Sequence, residues 1–184
     1  MNIIVITGAY PDIGKGIFTS SLAYLLQDLG IKVSPLKFDG YYNFSSGTMN
    51  PYHGDTSSKY SKEEVFVLAD GYEGDADSGY YERFLHNQFK KESNITNGQL
   101  FSLLTNSEGY SSKRPGQVLN HRFLRNILIE RIAAEAKKVD TLFIEIGGTV
   151  GDKENEIIFE ALRLIKDQKN AKIFTILMSP YFSK

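Results

Sequence analysis

A glycine-bearing loop between an apolar strand and a helix constrains this sequence most strongly. Residues 2–7 form a short β-branched run that is typical of a buried strand, and the loop of residues 8–16 (GAYPDIGKG) follows it directly. Glycines let successive backbone N–H groups face a phosphate, the next helix adds positive potential at its N-terminus, and Lys15 can reach terminal phosphoryl oxygens. This order of strand, loop and helix predicts a nucleotide-phosphate site rather than an ordinary turn with a solvated lysine.

The loop departs from the commonest phosphate-binding pattern at two positions. Five residues, one more than usual, separate Gly8 from Gly14, and Gly16 stands where that pattern has serine or threonine. The hydroxyl that usually binds magnesium is therefore missing, although Thr19 lies one helical turn further on. We therefore expect acidic residues elsewhere in the chain to bind the metal ion.

Two carboxylates at predicted strand ends are candidates for that metal site. Glu145 lies near the end of the apolar run 141–146, and Asp70 follows a short strand candidate at 64–68. Ligands of open α/β sheets collect at the carboxyl ends of the strands, and Mg²⁺ prefers carboxylate oxygens. We predict that Asp70 and Glu145 bind Mg²⁺ together. A capping or edge-exposed acid is the alternative for Glu145, and an Asp-Gly turn is the alternative for Asp70.

Two further segments of the sequence are less informative. Residues 39–62 are rich in Gly, Ser, Asn and Tyr, which predicts a long irregular loop. The acidic residues Glu73, Asp75 and Asp77 lack the glycine and the distal glutamate of a calcium-binding loop. We interpret them as a solvated or structural segment.

Alternating strand and helix patterns predict an α/β fold. Strands are predicted at residues 2–7, 31–38, 64–68, 141–146 and 172–178, and helices at 16–29, 80–89, 98–105, 118–138 and 154–166. Successive strands joined by a helix lie parallel in a sheet. We therefore predict an open, mostly parallel sheet with helices on both faces. The five-residue glycine spacing of the loop resembles that of dethiobiotin synthetase, and this resemblance implies a P-loop NTPase-like three-layer sandwich with a mostly parallel central sheet. With 184 residues, one domain is expected.

Composition excludes several kinds of site. The formal net charge of −1 gives no overall attraction to nucleic acid or to an anionic membrane. The absence of cysteine excludes disulfides, thiolate zinc sites and a thiol nucleophile. No apolar run approaches the roughly 20 residues that span a bilayer. We expect a cytoplasmic protein that binds neither nucleic acid nor membranes.

Short motifs in a fixed order run along the whole chain. They are residues 5–8 (VITG), 13–17 (IGKGI), 37–39 (KFD), 47–51 (GTMNP), 64–67 (EVFV), 81–84 (YERF), 145–152 (EIGGTVGD) and 180–181 (PY). In this order they resemble the N-terminal synthetase (amidoligase) domain of CTP synthase, and the block at 145–152 is the most distinctive of them. The resemblance implies a ligase of pyrimidine biosynthesis, in which ATP phosphorylates the uracil 4-oxygen of UTP and ammonia then displaces phosphate to give CTP.

The resemblance also implies roles for individual residues. Lys15 and Lys37 are the implied catalytic residues, although an exposed strand-end lysine is the alternative for Lys37. The implied ATP site comprises Ile13, Gly14, Lys15, Gly16, Ile17 and Asp70, and the implied magnesium ligands are Asp70 and Glu145. The implied pyrimidine-nucleotide contacts are Asp12, Lys37, Gln117, His121, Asp152 and Glu154. ATP, UTP and ammonia are the implied small-molecule partners, and a homo-oligomer is implied because the family forms tetramers through this domain.

Several departures from the family pattern define the alternatives. Residues 55–62 are an insertion, and the segment 110–116 is altered. We expect residues 1–184 to be a shortened synthetase domain that lacks the C-terminal part and the glutaminase domain. The first alternative is a catalytically reduced relative that binds nucleotide or regulates a full-length synthase. The second is an ATP-dependent ligase of another small substrate, as in dethiobiotin synthetase, which the block at 145–152 disfavours.

Overall fold

A computed structural model describes residues 1–46, 65–106, 121–169 and 171–181 of the chain. Within these ranges the strands are β1 (Asn2–Gly8), β2 (Val33–Asp39), β3 (Val65–Val67), β4 (Glu73–Asp75), β5 (Asn94–Thr96), β6 (Thr141–Ile146) and β7 (Lys172–Met178). The helices are α1 (Lys15–Asp28), α2 (Asp77–Leu85), α3 (Asn97–Asn106), α4 (His121–Ala136) and α5 (Glu156–Lys169). Short 3₁₀ helices precede β5 and α5.

Five of the strands form one parallel sheet in the order β5-β2-β6-β1-β7. Strand β6 lies at its centre, and all six of its residues are buried, as its continuous apolar run predicts. Because the strands are parallel, the ends of β1, β2 and β6 meet at one edge of the sheet. Strands β3 and β4 pair separately as a short antiparallel ribbon.

Alternate residues of the strands point to two helical layers. Ile3 and Val5 of β1 belong to a core cluster that includes α3, α4 and α5, whereas Ile6 packs in a second cluster with α1 and α2. On β6, Phe143 faces this second cluster. Glu145 lies two residues further along the same strand and therefore on the same face, at the end of the strand.

The α/β fold with a central parallel sheet is confirmed. The predicted bounds of β6 and β7 agree with the structure, and the other long strands and helices agree within a few residues. Strands β4 and β5 were not expected, because three residues are too few to show a period. Helix α2 begins at Asp77 rather than at residue 80. The start of the predicted helix 118–138, the insertion 55–62 and the segment 110–116 lie at least partly outside the described residues. No helix among the described residues has the length and apolar character to cross a membrane.

Candidate functional site

The phosphate loop is placed as its sequence predicts. It connects the end of β1 to the start of α1, and Gly14 adopts a φ of 82°, a left-handed conformation that favours glycine. The ammonium of Lys15 donates a hydrogen bond of 2.9 Å to the carbonyl oxygen of Gly148, in the loop after β6. The loop therefore lies against the ends of both strands.

A cavity of about 560 Å³ opens beside this loop, and we call it the lysine cavity. It is lined by Pro11, Asp12, Gly14, Lys15, Gly16, Ile17, Lys37, Asp39, Asp75, Ala76, Asp77, Tyr80, Glu145, Gly147 and Gly148. Its volume is in the usual range for small-molecule sites. Two lysines and several carboxylates share its wall, so charge dominates its chemistry.

The carboxylate of Asp77 explains why position 16 is glycine. A Cβ atom built on Gly16 would lie 2.0 Å from Oδ1 of Asp77, a distance that two such atoms cannot share. A serine or threonine at position 16 would therefore displace the Asp77 carboxylate. Asp77, the first residue of α2, places a carboxylate where the common phosphate loop places a hydroxyl.

A buried ammonium lies at the centre of the charged cluster. Nζ of Lys37 donates hydrogen bonds to Oδ2 of Asp77 and, over 2.9 Å, to Oε1 of Glu145. Carboxylate oxygens of Asp39 and Asp75 lie 3.9 and 3.8 Å from the same nitrogen. The side chain of Lys37 is only 4% exposed and that of Glu145 is fully buried. Four carboxylates among the described residues thus surround one buried lysine.

The ionisation of the cluster follows from burial and from this excess of acids. Burial raises the pKa of Glu145 to about 7 and that of Asp39 to about 8, because Lys37 only partly offsets the loss of hydration. Burial also favours the neutral form of Asp77, but the ion pair and hydrogen bond with Lys37 outweigh it and lower that pKa to about 2. Burial opposes charge on Lys37 as well, yet Asp75 and the other acids hold its pKa well above the ordinary value.

Tyr81 fixes the other oxygen of Glu145. Its hydroxyl donates a hydrogen bond of 2.5 Å to Oε2, while Lys37 donates to Oε1. The ring of Tyr81 is 1% exposed, and burial together with the carboxylate raises the pKa of its hydroxyl well above the ordinary value. The hydroxyl therefore stays protonated and orients Glu145.

A second cavity, of about 450 Å³, adjoins the first, and we call it the loop cavity. It is lined by Asp39, Gly40, Tyr41, Tyr42, Asn43, Gly147, Gly148, Asp152, Glu154 and Asn155. Asp39, Gly147 and Gly148 line both cavities. Among the described residues no lysine or arginine lines the loop cavity, so this part of its wall suits groups that donate hydrogen bonds rather than phosphates.

Hydrogen bonds within the loop after β6 shape one side of the loop cavity. Asp152 accepts hydrogen bonds from the backbone nitrogen and the hydroxyl of Thr149, over 2.7 and 2.6 Å. These bonds and the charge of Lys15 lower the pKa of Asp152. The buried amide of Asn155 donates to the carbonyl oxygen of Gly147 over 2.9 Å.

Comparison with known proteins gives the family. The model of the CTP synthase N-terminus matches residues 2–183. The chain belongs to the CTP synthase N-terminal family. It is 40% identical over 188 residues to the CTP synthase of Clostridium acetobutylicum, covering 99% of this chain and 34% of that protein. It is also 40% identical over 182 residues to the CTP synthase of Caldivirga maquilingensis, covering 97% of this chain and 32% of that protein.

The chain therefore spans about a third of the length of the CTP synthases that it matches. Among solved structures, the kinase domain of the Escherichia coli tyrosine kinase ETK aligns over 99% of this chain and 69% of its own, with a TM-score of 0.38 and 14% identity. That likeness is too distant to add to the account of the fold.

One predicted metal ligand of this CTP synthase domain lies outside the lysine cavity. Asp70 is exposed in the turn after β3, where its carboxylate accepts hydrogen bonds from the backbone nitrogens of Tyr72, over 3.2 Å, and Lys91, over 2.9 Å. These two bonds lower its pKa, as expected for a carboxylate that stabilises a turn. The structure does not bring Asp70 together with Glu145, and the turn that the sequence offered as the alternative is what it forms.

Asp77 is the carboxylate that accompanies Glu145. Among the described residues no three acidic, histidine or cysteine side chains are grouped closely enough to hold a metal ion by themselves. Mg²⁺ commonly needs only one or two carboxylates, because water and phosphate oxygens complete its coordination. Asp77 and Glu145 fit that requirement, because they lie next to the phosphate loop. The cluster to which they belong also holds more carboxylates than lysines.

The other predicted ATP-site residues are distributed unevenly. Gly14, Lys15, Gly16 and Ile17 line the lysine cavity, but the side chain of Ile13 turns back over Gly8 and does not line it. Lys37 lies in the lysine cavity and not, as an exposed strand-end lysine would, in solvent.

The predicted pyrimidine contacts fall in three places. Asp152 and Glu154 line the loop cavity, whereas Asp12 is exposed and lines the lysine cavity. His121 lines a third cavity of about 320 Å³, which Tyr42 and Glu154 share with the loop cavity. Gln117 lies outside the described residues.

Sequence reasoning missed Asp39, Asp75, Asp77 and Tyr81. One signal was available for Asp39, since it lies two residues after Lys37 on a predicted strand and must share its face. For Asp77 the signal was Gly16 itself, because a missing hydroxyl requires another oxygen close to the same helix start. The sequence instead favours Asp70 as the metal ligand, because the Asp-Gly pair follows a recognisable strand, whereas β4 is too short to recognise.

Proposed function

We propose that this chain forms the phosphoryl-transfer site of a CTP synthase, in which ATP activates the 4-oxygen of UTP and ammonia then replaces it. The observation that supports this most is the meeting of two unlike cavities at Asp39, Gly147 and Gly148. One cavity presents lysines and a phosphate loop, and the other presents acids, amides and tyrosines. A phosphoryl donor and a hydrogen-bonding acceptor can thus lie side by side.

In the lysine cavity, the start of α1 and Lys15 would bind the ATP phosphates. Lys15 is 7% exposed and already donates to a carbonyl, so its ammonium is held next to the loop. Lys37 would stabilise negative charge on the phosphoryl group during transfer, for which positioned cations are the main resource. Asp77 and Glu145 would hold Mg²⁺, which neutralises phosphate charge when it is bound.

In the loop cavity, the acceptor would be held by hydrogen bonds rather than by ion pairs. Asp152 and Glu154 offer carboxylate oxygens, and Tyr42 offers an exposed ring at the same wall. These groups suit ribose hydroxyls, a ring N–H and a flat base. The described residues of this cavity offer no cation for a triphosphate, so the UTP phosphates would lie beyond it.

The proposed reaction has two balanced steps. The uracil N3 loses its proton as the 4-oxygen attacks the γ-phosphorus of ATP, the bond from that phosphorus to the bridging oxygen breaks, and ADP leaves. Ammonia then attacks C4, the C4–O bond breaks, inorganic phosphate leaves, and the nitrogen loses a proton to give the 4-amino group. We also propose UTP and ATP as substrates of the full-length relatives and of this chain alike, and a homo-oligomer as the assembled form.

The test is synthesis of CTP from UTP, MgATP and ammonium chloride, followed by chromatography of the nucleotides. We expect CTP with the wild-type chain and none with Lys37→Ala. Lys32→Ala is the matched control, because Lys32 is exposed near the start of β2, at the opposite edge of the sheet. Absence of CTP from a wild-type chain that binds both nucleotides would instead support a catalytically reduced, nucleotide-binding relative.

A further inference from the structure

Three consecutive residues, the last of β5 and the first two of α3, hold one wall of the loop cavity. We propose that Thr96, Asn97 and Gly98 position residues 40–44 and thereby determine how the loop cavity accepts a pyrimidine nucleotide. The inference rests on the proposed function only for the identity of that ligand. We call these three residues the β5–α3 junction.

Asn97 joins the two walls of the cavity directly. Its side-chain amide donates two hydrogen bonds of 2.8 Å, one to the carbonyl oxygen of Gly40 and one to that of Glu154. Gly40 follows β2 and Glu154 lies in the loop after β6, so one amide group links the segments on the two sides. The Asn97 side chain uses both of its N–H donors, and the residue is only 5% exposed.

Thr96 and Gly98 hold the same loop further along. The hydroxyl of Thr96 donates to the carbonyl oxygen of Asn43 over 2.8 Å and accepts from the backbone nitrogen of Gln99 over 3.0 Å. The backbone nitrogen of Gly98 donates to the carbonyl oxygen of Tyr41 over 3.3 Å. The start of helix α3 is therefore tied to the loop through neutral hydrogen bonds.

The loop also lies so close to Gly98 that no side chain fits there. A Cβ atom at position 98 would lie 2.3 Å from the carbonyl oxygen of Asn43 and 2.4 Å from that of Tyr42. Both atoms belong to backbone, which cannot move without displacing the loop. The exposed ring of Tyr42 is carried by this same backbone, and it lines both the loop cavity and the cavity of His121.

These contacts have a consequence for ligand binding that general stability does not have. All of the carbonyl groups that the junction holds belong to residues next to or within the loop cavity, and none of its three residues lines the lysine cavity. Loss of the Asn97 amide should therefore loosen residues 40–44 and weaken pyrimidine binding while ATP binding stays unchanged.

The first measurement is hydrogen–deuterium exchange of the metal-free, nucleotide-free chain by mass spectrometry. The variants are Asn97→Ala and Asn97→Asp, and the matched control is Asn2→Ala, which removes one exposed amide hydrogen bond to the carbonyl oxygen of Asp140. We expect roughly tenfold faster exchange of peptides covering 40–46 in both Asn97 variants, since two hydrogen bonds are lost. The control should leave this segment unchanged. Unchanged exchange in the Asn97 variants would overturn the proposal.

The second measurement compares the Kd of UTP with that of MgATP by calorimetry. We expect Asn97→Ala to weaken UTP binding roughly tenfold with no change for MgATP. Thr96→Val should also weaken UTP binding, whereas Thr96→Ser, which keeps the hydroxyl, should bind UTP as the wild type does. Equal weakening of both nucleotides would overturn the proposal, because it would indicate a general structural role. If the wild-type chain binds no UTP, the proposed function fails, and the exchange measurement alone still decides whether the junction positions the loop.

Discussion

The lysine cavity and the loop cavity adjoin each other, but different interactions stabilise their walls. In the lysine cavity, Lys37 lies within 4 Å of four carboxylates, and burial raises the pKa of Glu145 and of Asp39. In the loop cavity, neutral amides and hydroxyls bind backbone carbonyl groups. The lysine cavity is therefore suited to bind charged groups, and neutral hydrogen bonds hold the loop cavity in one shape.

The largest expected effect of breaking this contrast comes from Gly16→Ser. The new Cβ atom would lie 2.0 Å from Oδ1 of Asp77, so the Asp77 side chain must turn away from its present position. Overpacking of this kind costs about 1–3 kcal/mol, and the displaced carboxylate would also abolish MgATP binding. Thermal unfolding with and without MgATP measures both effects.

The double variant Gly16→Ser with Asp77→Gly tests whether that steric conflict is the cause. Asp77→Gly alone is the reference, because it removes an ion-pair partner of Lys37. Gly16→Ser should cost less stability in the Asp77→Gly background than in the wild-type background. If it costs as much in both, the conflict with Asp77 is not the reason for the glycine.

Lys15→Ala should have the next largest effect. Loss of a charge-assisted contact to phosphate should weaken MgATP binding roughly 100-fold, without any change in UTP binding. A chain saturated at 100 times its Kd gains about 2.7 kcal/mol of stability from the ligand, which the variant should lose. Lys138→Ala, on an exposed lysine paired with Glu135, is the control. An equal thermal shift by MgATP in wild type and Lys15→Ala would remove the phosphate-loop assignment.

Lys37→Met should strengthen metal binding in the absence of nucleotide. Nζ of Lys37 occupies the same oxygens of Asp77 and Glu145 that a divalent cation would use, so the two cations compete. We expect the variant to bind Mn²⁺ roughly tenfold more tightly. Electron paramagnetic resonance of Mn²⁺ measures this affinity. Weaker binding would mean that Lys37 supports the metal site rather than competing with it.

The smallest effect compares one tyrosine hydroxyl from each region. Tyr81→Phe removes a donor to the Glu145 carboxylate, and Tyr72→Phe removes a donor to the carbonyl oxygen of Phe44. At pH 8, above the pKa of Glu145 of about 7, we expect losses in unfolding free energy of about 2 and about 1 kcal/mol. At pH 5.5 Glu145 is protonated, so the first loss should fall towards the second. Urea unfolding at both pH values measures this, and a larger loss at pH 5.5 would contradict it.

Long, periodic or strongly apolar features could be predicted from the sequence. The bounds of β6 and β7, the phosphate loop with Lys15, and the buried position of Glu145 all follow from local patterns. The aspartates around Lys37 could not be predicted in this way. Asp75 and Asp77 reach Lys37 only because a three-residue strand and the first turn of α2 bring them back to the sheet, and such short elements leave no period.

The role of Thr96 and Asn97 was equally hidden. Their side chains bind carbonyl groups more than fifty residues away in sequence, and a carbonyl group is present at every residue. Polar residues at the start of a helix usually indicate capping, which Thr96 also performs for Gln99. Nothing in the local sequence separates the capping role from the contact with the distant loop.

The contact between Gly16 and Asp77 limits how sequences of this kind can diverge. A side chain at position 16 would displace the Asp77 carboxylate from its present position. Substitutions at these two positions should therefore tend to occur as a pair, with a hydroxyl residue at position 16 where position 77 is small. An alignment of relatives should show this as covariation between the start of α1 and the start of α2, although the two positions are 61 residues apart in the sequence.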